Sequence, residues 1–563
     1  MPIFESRQPP IDLPTDLTTW DWLFDSPHSP LARFPESELA GYQDAISKER
    51  LNWAQVKDCS TYLSTALVKE YDLKAGETVS LFSQNSIWYP VAMHGALRVG
   101  AMVSGASPAY NVDEMAYALK TAKAKFLLTS PTSMEVATAA AKKAGIPKEN
   151  LFLLEGHLEG YKTVKDLIEM GNKHGPQHQV AAFKIPAGKK NKDICGFLSF
   201  SSGTTGLPKA VMISHQNVIA QCLQIQQITP STHKKVLAVL PSFHITGLVH
   251  VLHLPVLINA EVIALPSFTM PTMLQTIQDH RIGELLLVPP IIIRLVRDPI
   301  VANYDLSCVT RFSSGAAPLS EEIIQLLAKR FPGTGFKQGY GMTESCSCIT
   351  AHPPSLYDFR YAHSVGSVVA STEIKILRPD GSEAGIDEPG EILARGPQIV
   401  MGYLDNEKAT RETFDEGGWL HTGDQGVIDG EGVVTITDRI KEMIKVKGIG
   451  VAPAELEDLL LGHEKVEDVA VLGIPDEWAG ERPKAFAVLK KGVAGNGEVG
   501  KQILSYVKER KARYKHVKEV EFVEEIPKSA SGKILRRVLR DTARSREKRG
   551  VVVQDTAAEK AML

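Results

Sequence analysis

The 563-residue chain has no uninterrupted apolar run long enough to cross a bilayer. Its two most apolar stretches, 248–265 and 283–296, are broken by His250, His253, Pro255, Asn259 and Glu261 in the first and by Pro289-Pro290 in the second. The segment Met1-Pro2-Ile3-Phe4-Glu5-Ser6-Arg7 lacks the basic start and apolar core of a secretory signal. Cysteine is scarce: Cys59, Cys195, Cys222, Cys308, Cys346 and Cys348 form no C-x-x-C pair and have no histidine at zinc spacing. That pattern predicts a reducing compartment, the cytoplasm, and no structural metal. A charge surplus is missing too, with 63 Lys+Arg against 66 Asp+Glu, so no overall field draws the chain to nucleic acid or a membrane surface. No short-period repeat is visible, which excludes solenoids and propellers.

What remains is an ordinary globular composition, 43% hydrophobic and 23% charged, at a length that requires two domains or more. Thr78–Phe82 and 125–129 read as strands and 91–99 as a helix between them. Such alternation predicts an α/β fold with parallel sheets flanked by helices. Gly, Asp and Glu gather between Pro379 and Gly390, as in the hairpin turns of a smaller β-rich subdomain. Past Lys441 the pattern changes to helix (454–461), strand (466–472), strand (485–489), helix (500–510) and strand (519–523), a small α+β unit. The expected division is residues 1–439, 440–545 and a flexible tail, 546–563.

The chemistry starts at Ser201-Ser202-Gly203-Thr204-Thr205-Gly206-Leu207-Pro208-Lys209. Unhindered backbone N–H groups, hydroxyls and one cation in a single loop are what a polyphosphate needs. A Walker-type loop aligned from Gly203 fails at Pro208, where its second glycine belongs, and at Ala210, where its magnesium-binding hydroxyl belongs. Four further blocks follow in order: Ser314-Gly315-Ala316-Ala317-Pro318-Leu319, Gln338-Gly339-Tyr340-Gly341-Met342-Thr343-Glu344, Trp419-Leu420-His421-Thr422-Gly423-Asp424 and Asp438-Arg439-Ile440-Lys441-Glu442-Met443-Ile444-Lys445. A last one, Pro527-Lys528-Ser529-Ala530-Ser531-Gly532-Lys533, lies near the end.

In this order the blocks resemble those of the adenylate-forming (AMP-binding) superfamily: acyl- and aryl-CoA ligases, luciferases and peptide-synthetase adenylation domains. The resemblance implies a carboxylic acid, ATP and coenzyme A as substrates, with Mg²⁺. The acid becomes an acyl-adenylate with release of pyrophosphate, and a thiol then displaces AMP. It also implies that the small C-terminal domain turns about the 438–441 hinge between the two steps. Carried onto this sequence, Ser201–Lys209 would take the β- and γ-phosphates. Gly315, Ala316, Ala317 and Gln338–Met342 would form the adenine pocket, with Tyr340 offering a flat face. Thr343 would meet the α-phosphate, and Glu344 would hold Mg²⁺ through a hard oxygen. Asp424, backed by Arg439, would accept the ribose hydroxyls, and Lys441 completes the nucleotide set. Lys533 would serve adenylation and Lys445 thioester formation, with Lys447 and Gly448 at the CoA.

His244, in Pro241-Ser242-Phe243-His244-Ile245-Thr246-Gly247, resembles a histidine that gates the acyl pocket, whose other expected contacts are Thr246, Ser313, Gly315, Gly339, Cys346 and Cys348. Plant 4-coumarate:CoA ligases are the nearest group in wording, including Val451-Ala452-Pro453-Ala454-Glu455-Leu456. They usually have tyrosine where this chain has Thr246, lysine where it has Ser313, and Gly-Pro-Val-Leu where it has Cys346-Ser347-Cys348-Ile349. Losing those polar groups predicts a larger or less polar acid: aryl, arylalkanoic or medium-chain fatty. Lys447-Gly448-Ile449-Gly450 also departs from the usual Lys-Gly-(aromatic)-Gln, removing an amide at Gly450. A carrier-loading enzyme and a luciferase-like oxygenase stay open as alternatives. Ala561-Met562-Leu563 loosely resembles the peroxisomal S-K-L signal, with Met562 where a basic residue usually sits. Oligomeric state is not legible.

Overall fold

Thr78–Phe82 is buried at every position, as expected of a central strand with both sheet faces covered. In the computed structural model, which describes residues 3–201, 207–315, 319–447, 449–476, 479–529, 532–544 and 550–555, it lies between the parallel strands Met102–Ala106 and Ala124–Thr129. The intervening chain forms the helices Trp88–Arg98 and Val112–Thr121. The eight-stranded sheet continues on one side through Leu151–Leu153 and Lys162–Thr163 and on the other through Cys195–Ser201, Lys209–Ser214 and Gly402–Tyr403. The expectation of a parallel sheet fails on that second side. Cys195–Ser201 and Lys209–Ser214 pair antiparallel, Ser201 opposite Lys209, because the loop joining them is too short for a crossover. The phosphate-loop candidate is therefore the turn of a hairpin. Its residues Ser202, Gly203, Thr204, Thr205 and Gly206 lie outside the described residues, as do Ala316, Ala317, Gly448 and the Ala561–Leu563 terminus.

A second sheet, ordered Glu284–Leu287, Arg311–Ser314, Gly335–Met342, Ser347–Ala351 and Ser367–Val368, has its first three strands parallel. A third joins Lys235–Ala238, Glu261–Ala264, Gly41–Asp44 and Arg50–Asn52. The β-rich subdomain is an antiparallel sheet of Phe4–Glu5, Glu373–Leu377, Gly390–Arg395, Leu420–Ile428 and Val434–Arg439. Alternate residues of Leu420–Ile428, Thr422 and Asp424 among them, are buried.

Beyond Arg439 a separate core forms around Ile444, Val446, Leu456, Val471, Ala485 and Val520. It is built from the helices Pro453–Leu461 and Gly497–Lys508 on a sheet containing Val466–Asp476, Gly480–Leu489 and Glu519–Phe522. The expected tail is corrected here. Val552–Gln554 returns as an edge strand antiparallel to Glu519–Phe522, and Lys508 pairs with Asp555 at 2.7 Å. The β-branched run Val551-Val552-Val553 favours extended chain, and Val553 packs tightly over Gly500.

Several histidines are enclosed in the main core. His94 and His253 meet edge-on at 5.4 Å, and Phe24 and Phe197 flank them. Burial pushes His215 down to about 3 and His253 to about 4 from the usual 6.5, and lowers His94 well below it. These rings are neutral when folded but bind protons near pH 6.5 when unfolded. Their contribution to stability is thus complete above that pH and is lost as pH falls toward 4, at about 1.4 kcal/mol per ring per pH unit. Denaturant midpoints should therefore drop steeply between about pH 6.5 and 4.5. A midpoint unchanged across that window would contradict the burial of neutral rings.

Candidate active site

The nucleotide side of the cleft is assembled where the second sheet meets the β-rich subdomain. Gly341 stands at a bulge in Gly335–Met342, where a Cβ would fall 1.6 Å from the Ser347 carbonyl, so no other residue fits. That close approach aims Tyr340 across the cleft, where its hydroxyl donates to Asp424 Oδ2 at 2.8 Å. Arg439 faces Asp424 across the hairpin of Leu420–Ile428 and Val434–Arg439, with Nε 3.4 Å from Oδ1. Burial raises the Asp424 carboxyl, and Arg439 and the Tyr340 hydroxyl oppose that rise. The carboxylate faces the cleft with its two oxygens separately addressed, which suits a vicinal diol. Gly315 lies behind Tyr340, the nearest atom to its Cβ position being the Gly339 carbonyl at 4.0 Å. Gln338 spends its side-chain amide on the Ala362 and Ser364 carbonyls.

The phosphate side joins three elements distant in sequence. The Cys195–Ser201 strand packs against the 343–345 turn, and the Ser201 hydroxyl is buried with no partner among the described residues. Glu344 is 9% exposed, and its Oε1 accepts from the Tyr403 hydroxyl at 2.8 Å. The Lys209 ammonium stands 4.6 Å from the Tyr403 ring centroid. An orphaned hydroxyl, a buried hard-oxygen donor and a cation in one place fit a Mg²⁺–polyphosphate, in which a carboxylate and phosphate oxygens share the metal. Tyr403, which orients both Glu344 and Lys209, escaped the sequence reading because an isolated Gly402-Tyr403 has neither periodicity nor a motif.

The C-terminal domain delivers Lys533 into this cleft. Its loop is closed by Ser529 N–H to the Lys533 carbonyl (2.8 Å) and Lys533 N–H to Ser529 Oγ (3.2 Å). Gly532, at φ +81°, presses against Pro290 of the large domain. Burial, then Arg439, lowers the Lys533 ammonium to about 8, against the pull of Glu442, Asp424 and Glu344. Lys533 also acts on His244, which burial and that cation hold down at about 4. His244 is therefore neutral at pH 7, with Nδ1 accepting from Thr246 N–H at 3.4 Å. Because Lys533 is cationic only below about pH 8, kcat/KM for ATP should fall as pH rises through that value. Pyrophosphate release measured from about pH 6.5 to 9.5 tests this, and a flat profile would count against Lys533 as the working cation.

Lys445 is elsewhere. It sits exposed on Ile444–Val446, its N–H donating to the Glu481 carboxylate at 2.8 Å, while Ile444 and Val446 point into the small-domain core. Lys441 and Lys447 are exposed as well. At Gly450 a Cβ would stand 2.6 Å from Met443 Cε, so the space of the missing side chain is taken by that methionine. Cys346 and Cys348, expected together in the acyl pocket, both pack in or against the main core but are buried to different extents. Cys346 is fully buried in the main core, near Cys222, and belongs to the packing. Cys348 lies 3.4 Å from the Cβ position of Gly339, on the sheet face where Ser313 also lies. Lys337 and His250, on or against that face, were not singled out from sequence.

The AMP-binding enzyme family model matches residues 32–404, and the AMP-binding enzyme C-terminal domain model matches 455–533. The chain is 35% identical to 4-coumarate–CoA ligase-like 9 of Oryza sativa subsp. japonica, over 96% of this chain and 95% of that protein. It is 34% identical to peroxisomal OPC-8:0-CoA ligase 1 of Arabidopsis thaliana, over 97% of each. Among solved structures it is similar to the anthranilate CoA ligase AuaEII in complex with anthranoyl-AMP, with a TM-score of 0.82 at 25% identity, covering 94% of this chain and 98% of that one. With matching models on both sides of residues 438–441, the first covering more than half of the chain, the chain belongs to the AMP-binding enzyme family.

Proposed function

We propose that Lys533 and Lys445 divide between them the two half-reactions of this AMP-forming acid–CoA ligase. In the first, a carboxylate oxygen of the acid bonds to the α-phosphorus of ATP as the bond to pyrophosphate breaks. In the second, the CoA thiolate bonds to the acyl carbonyl carbon and AMP leaves. The observation that carries the division is the placement of the lysines: one buried beside Asp424, Arg439 and Glu344, the other exposed on Ile444–Val446 and in contact with none of those groups among the described residues.

In the adenylation step two anions must approach, and the cations and donors already in place oppose their repulsion without reorganising. Lys209 and the Ser201 hydroxyl face the β- and γ-phosphates, Asp424 holds the ribose, and Lys533 bridges the acid carboxylate and the α-phosphate. Glu344, with Thr343 beside it, would hold Mg²⁺, which when bound neutralises phosphate charge. Neutral His244 excludes water at the mouth of the acyl site without adding a charge. The acid lies over Gly315, Gly339, Ser313 and Cys348, with an aryl, arylalkanoic or medium-chain body matching the small side chains there. No helix among the described residues is long and apolar enough to cross a membrane. A peroxisomal address is supported by the name of the Arabidopsis relative.

The direct test is a pyrophosphate-release screen over free acids, with and without CoA. The expected result is pyrophosphate and AMP formed in step with thioester only when CoA is present. AMP formed without any dependence on CoA, or light emission with oxygen, would point to one of the other adenylate-forming chemistries.

A further inference from the structure

The sheet face that carries Gly339 also carries a partly buried group of charges. In the parallel strands, Glu284 pairs in register with Arg311, and Leu286 with Ser313 and Lys337, so Glu284, Arg311, Ser313, Lys337 and Gly339 share one face of the sheet. Arg311 grips Glu284 Oε2 through Nε and Nη2 at 2.8 and 2.7 Å, and Lys337 pairs with Oε1. The three side chains are 12, 6 and 18% exposed, in the order Arg311, Glu284, Lys337. The Tyr357 ring lies 4.7 Å from the Arg311 guanidinium and 5.8 Å from the Lys337 ammonium.

This group does not balance. Arg311 and Lys337 contribute two positive charges and Glu284 one negative charge, and no second carboxylate pairs with either cation among the described residues. His233, with Nδ1 3.5 Å from Glu284, is kept neutral by burial despite that carboxylate. His250 is held down at about 4 by burial and by Lys337. One positive charge is therefore left over in an enclosed place, a costly arrangement unless something anionic completes it. The surplus reaches the acyl site. Lys337 is two residues before Gly339, Cys348 stands against Gly339, and the Ser347 hydroxyl joins Cys348 (3.6 Å) to His250 Nε2 (3.2 Å). The lysine absent at Ser313 is thus replaced by one on the neighbouring strand, in register with it.

We propose that the far end of the acyl site is an anion subsite, in which Lys337 and His250 receive a second carboxylate on the acid being activated. The substrate class is a dicarboxylic acid with an apolar body: one carboxylate is adenylated near Lys533 and His244, and the other neutralises the surplus charge. This rests on the acid–CoA ligase reading and narrows its substrate. A site built for a charged group rejects the neutral analogue strongly, because the surplus positive charge is then left uncompensated.

The experiment compares α,ω-dicarboxylic acids and phenylene diacids with monocarboxylic acids of matched length, as kcat/KM for CoA-thioester formation. The parent enzyme should favour the matched diacid by about tenfold or more. Lys337→Met should lower kcat/KM for the diacid by about a hundred-fold, mostly through KM, and tilt the diacid-to-monoacid ratio toward the monoacid. Lys337→Arg should restore most of the preference, which separates charge recognition from packing, and a melting curve accompanies each variant. Equal use of diacids and monoacids by the parent enzyme would overturn the subsite and leave the ligase reading intact. So would a Lys337→Met enzyme that melts like the parent and keeps the parent's ratio. If no free acid of either kind forms a thioester, the ligase reading falls and the subsite falls with it.

Discussion

Lys533→Ala is expected to abolish acyl-adenylate formation while leaving conversion of supplied acyl-AMP and CoA to thioester. The side chain enters the cleft from the small domain, and its charge is felt by Asp424, Glu344 and His244. On the proposed reading it is the cation placed where the carboxylate and α-phosphate meet. Removing a preorganised charge from such a site costs on the order of a hundred-fold or more in rate. Pyrophosphate release in a single turnover reads the first half-reaction, and CoA-dependent consumption of synthetic acyl-AMP reads the second. Equal loss in both would refute the division of labour. The neighbouring Arg536 sharpens the experiment, because it ties Glu442 (2.7 Å) to Glu457 (2.6 Å) and anchors the lysine loop to the hinge segment. Folding of the variant is checked by its melting curve.

Lys445→Ala should do the opposite. Strand alternation directs Ile444 and Val446 into the small-domain core and leaves Lys445 outside, so on the proposed division of labour it would meet the reacting atoms only after that domain turns. Pyrophosphate release in one turnover should be retained, thioester formation should slow by about ten- to a hundred-fold, and enzyme-bound acyl-adenylate should accumulate. Lys441→Pro should give the same signature for a different reason. Residues 439–443 are folded by Glu442 and Met443 N–H bonds to the Arg439 carbonyl, and Ile440 N–H donates to the Gly423 carbonyl. Proline fixes φ near −65° and restricts the residue before it, which opposes the backbone change a hinge must absorb. Mass spectrometry of quenched enzyme detects the trapped adenylate. Thioester turnover at the parent rate by Lys441→Pro would show that the domain does not alternate about that residue.

The amino-acid sequence by itself carried the ordered blocks, the α/β alternation, the β-rich subdomain and the change of pattern beyond Lys441. These are local properties: a strand such as Thr78–Phe82, a glycine-rich turn or the Thr-Gly-Asp at Asp424 shows itself within a few residues. Tertiary structure decided what depends on register and on distant partners. Glu344 and Tyr403 are 59 residues apart and meet only because Gly402–Tyr403 joins the sheet edge beside Lys209–Ser214. Of two neighbouring cysteines, Cys348 came to stand against Gly339 and Cys346 was fully enclosed in the core, after a bulge at Gly341 whose position no local pattern marks. The residues 552–554 became an edge strand because Glu519–Phe522 offered an open edge. Lys337, which no sequence motif singles out, became part of an unbalanced charge group because three parallel strands align it with Arg311 and Glu284 across crossovers of some two dozen residues. Register between parallel strands is set by the packing of those crossovers, and a single strand contains no trace of it.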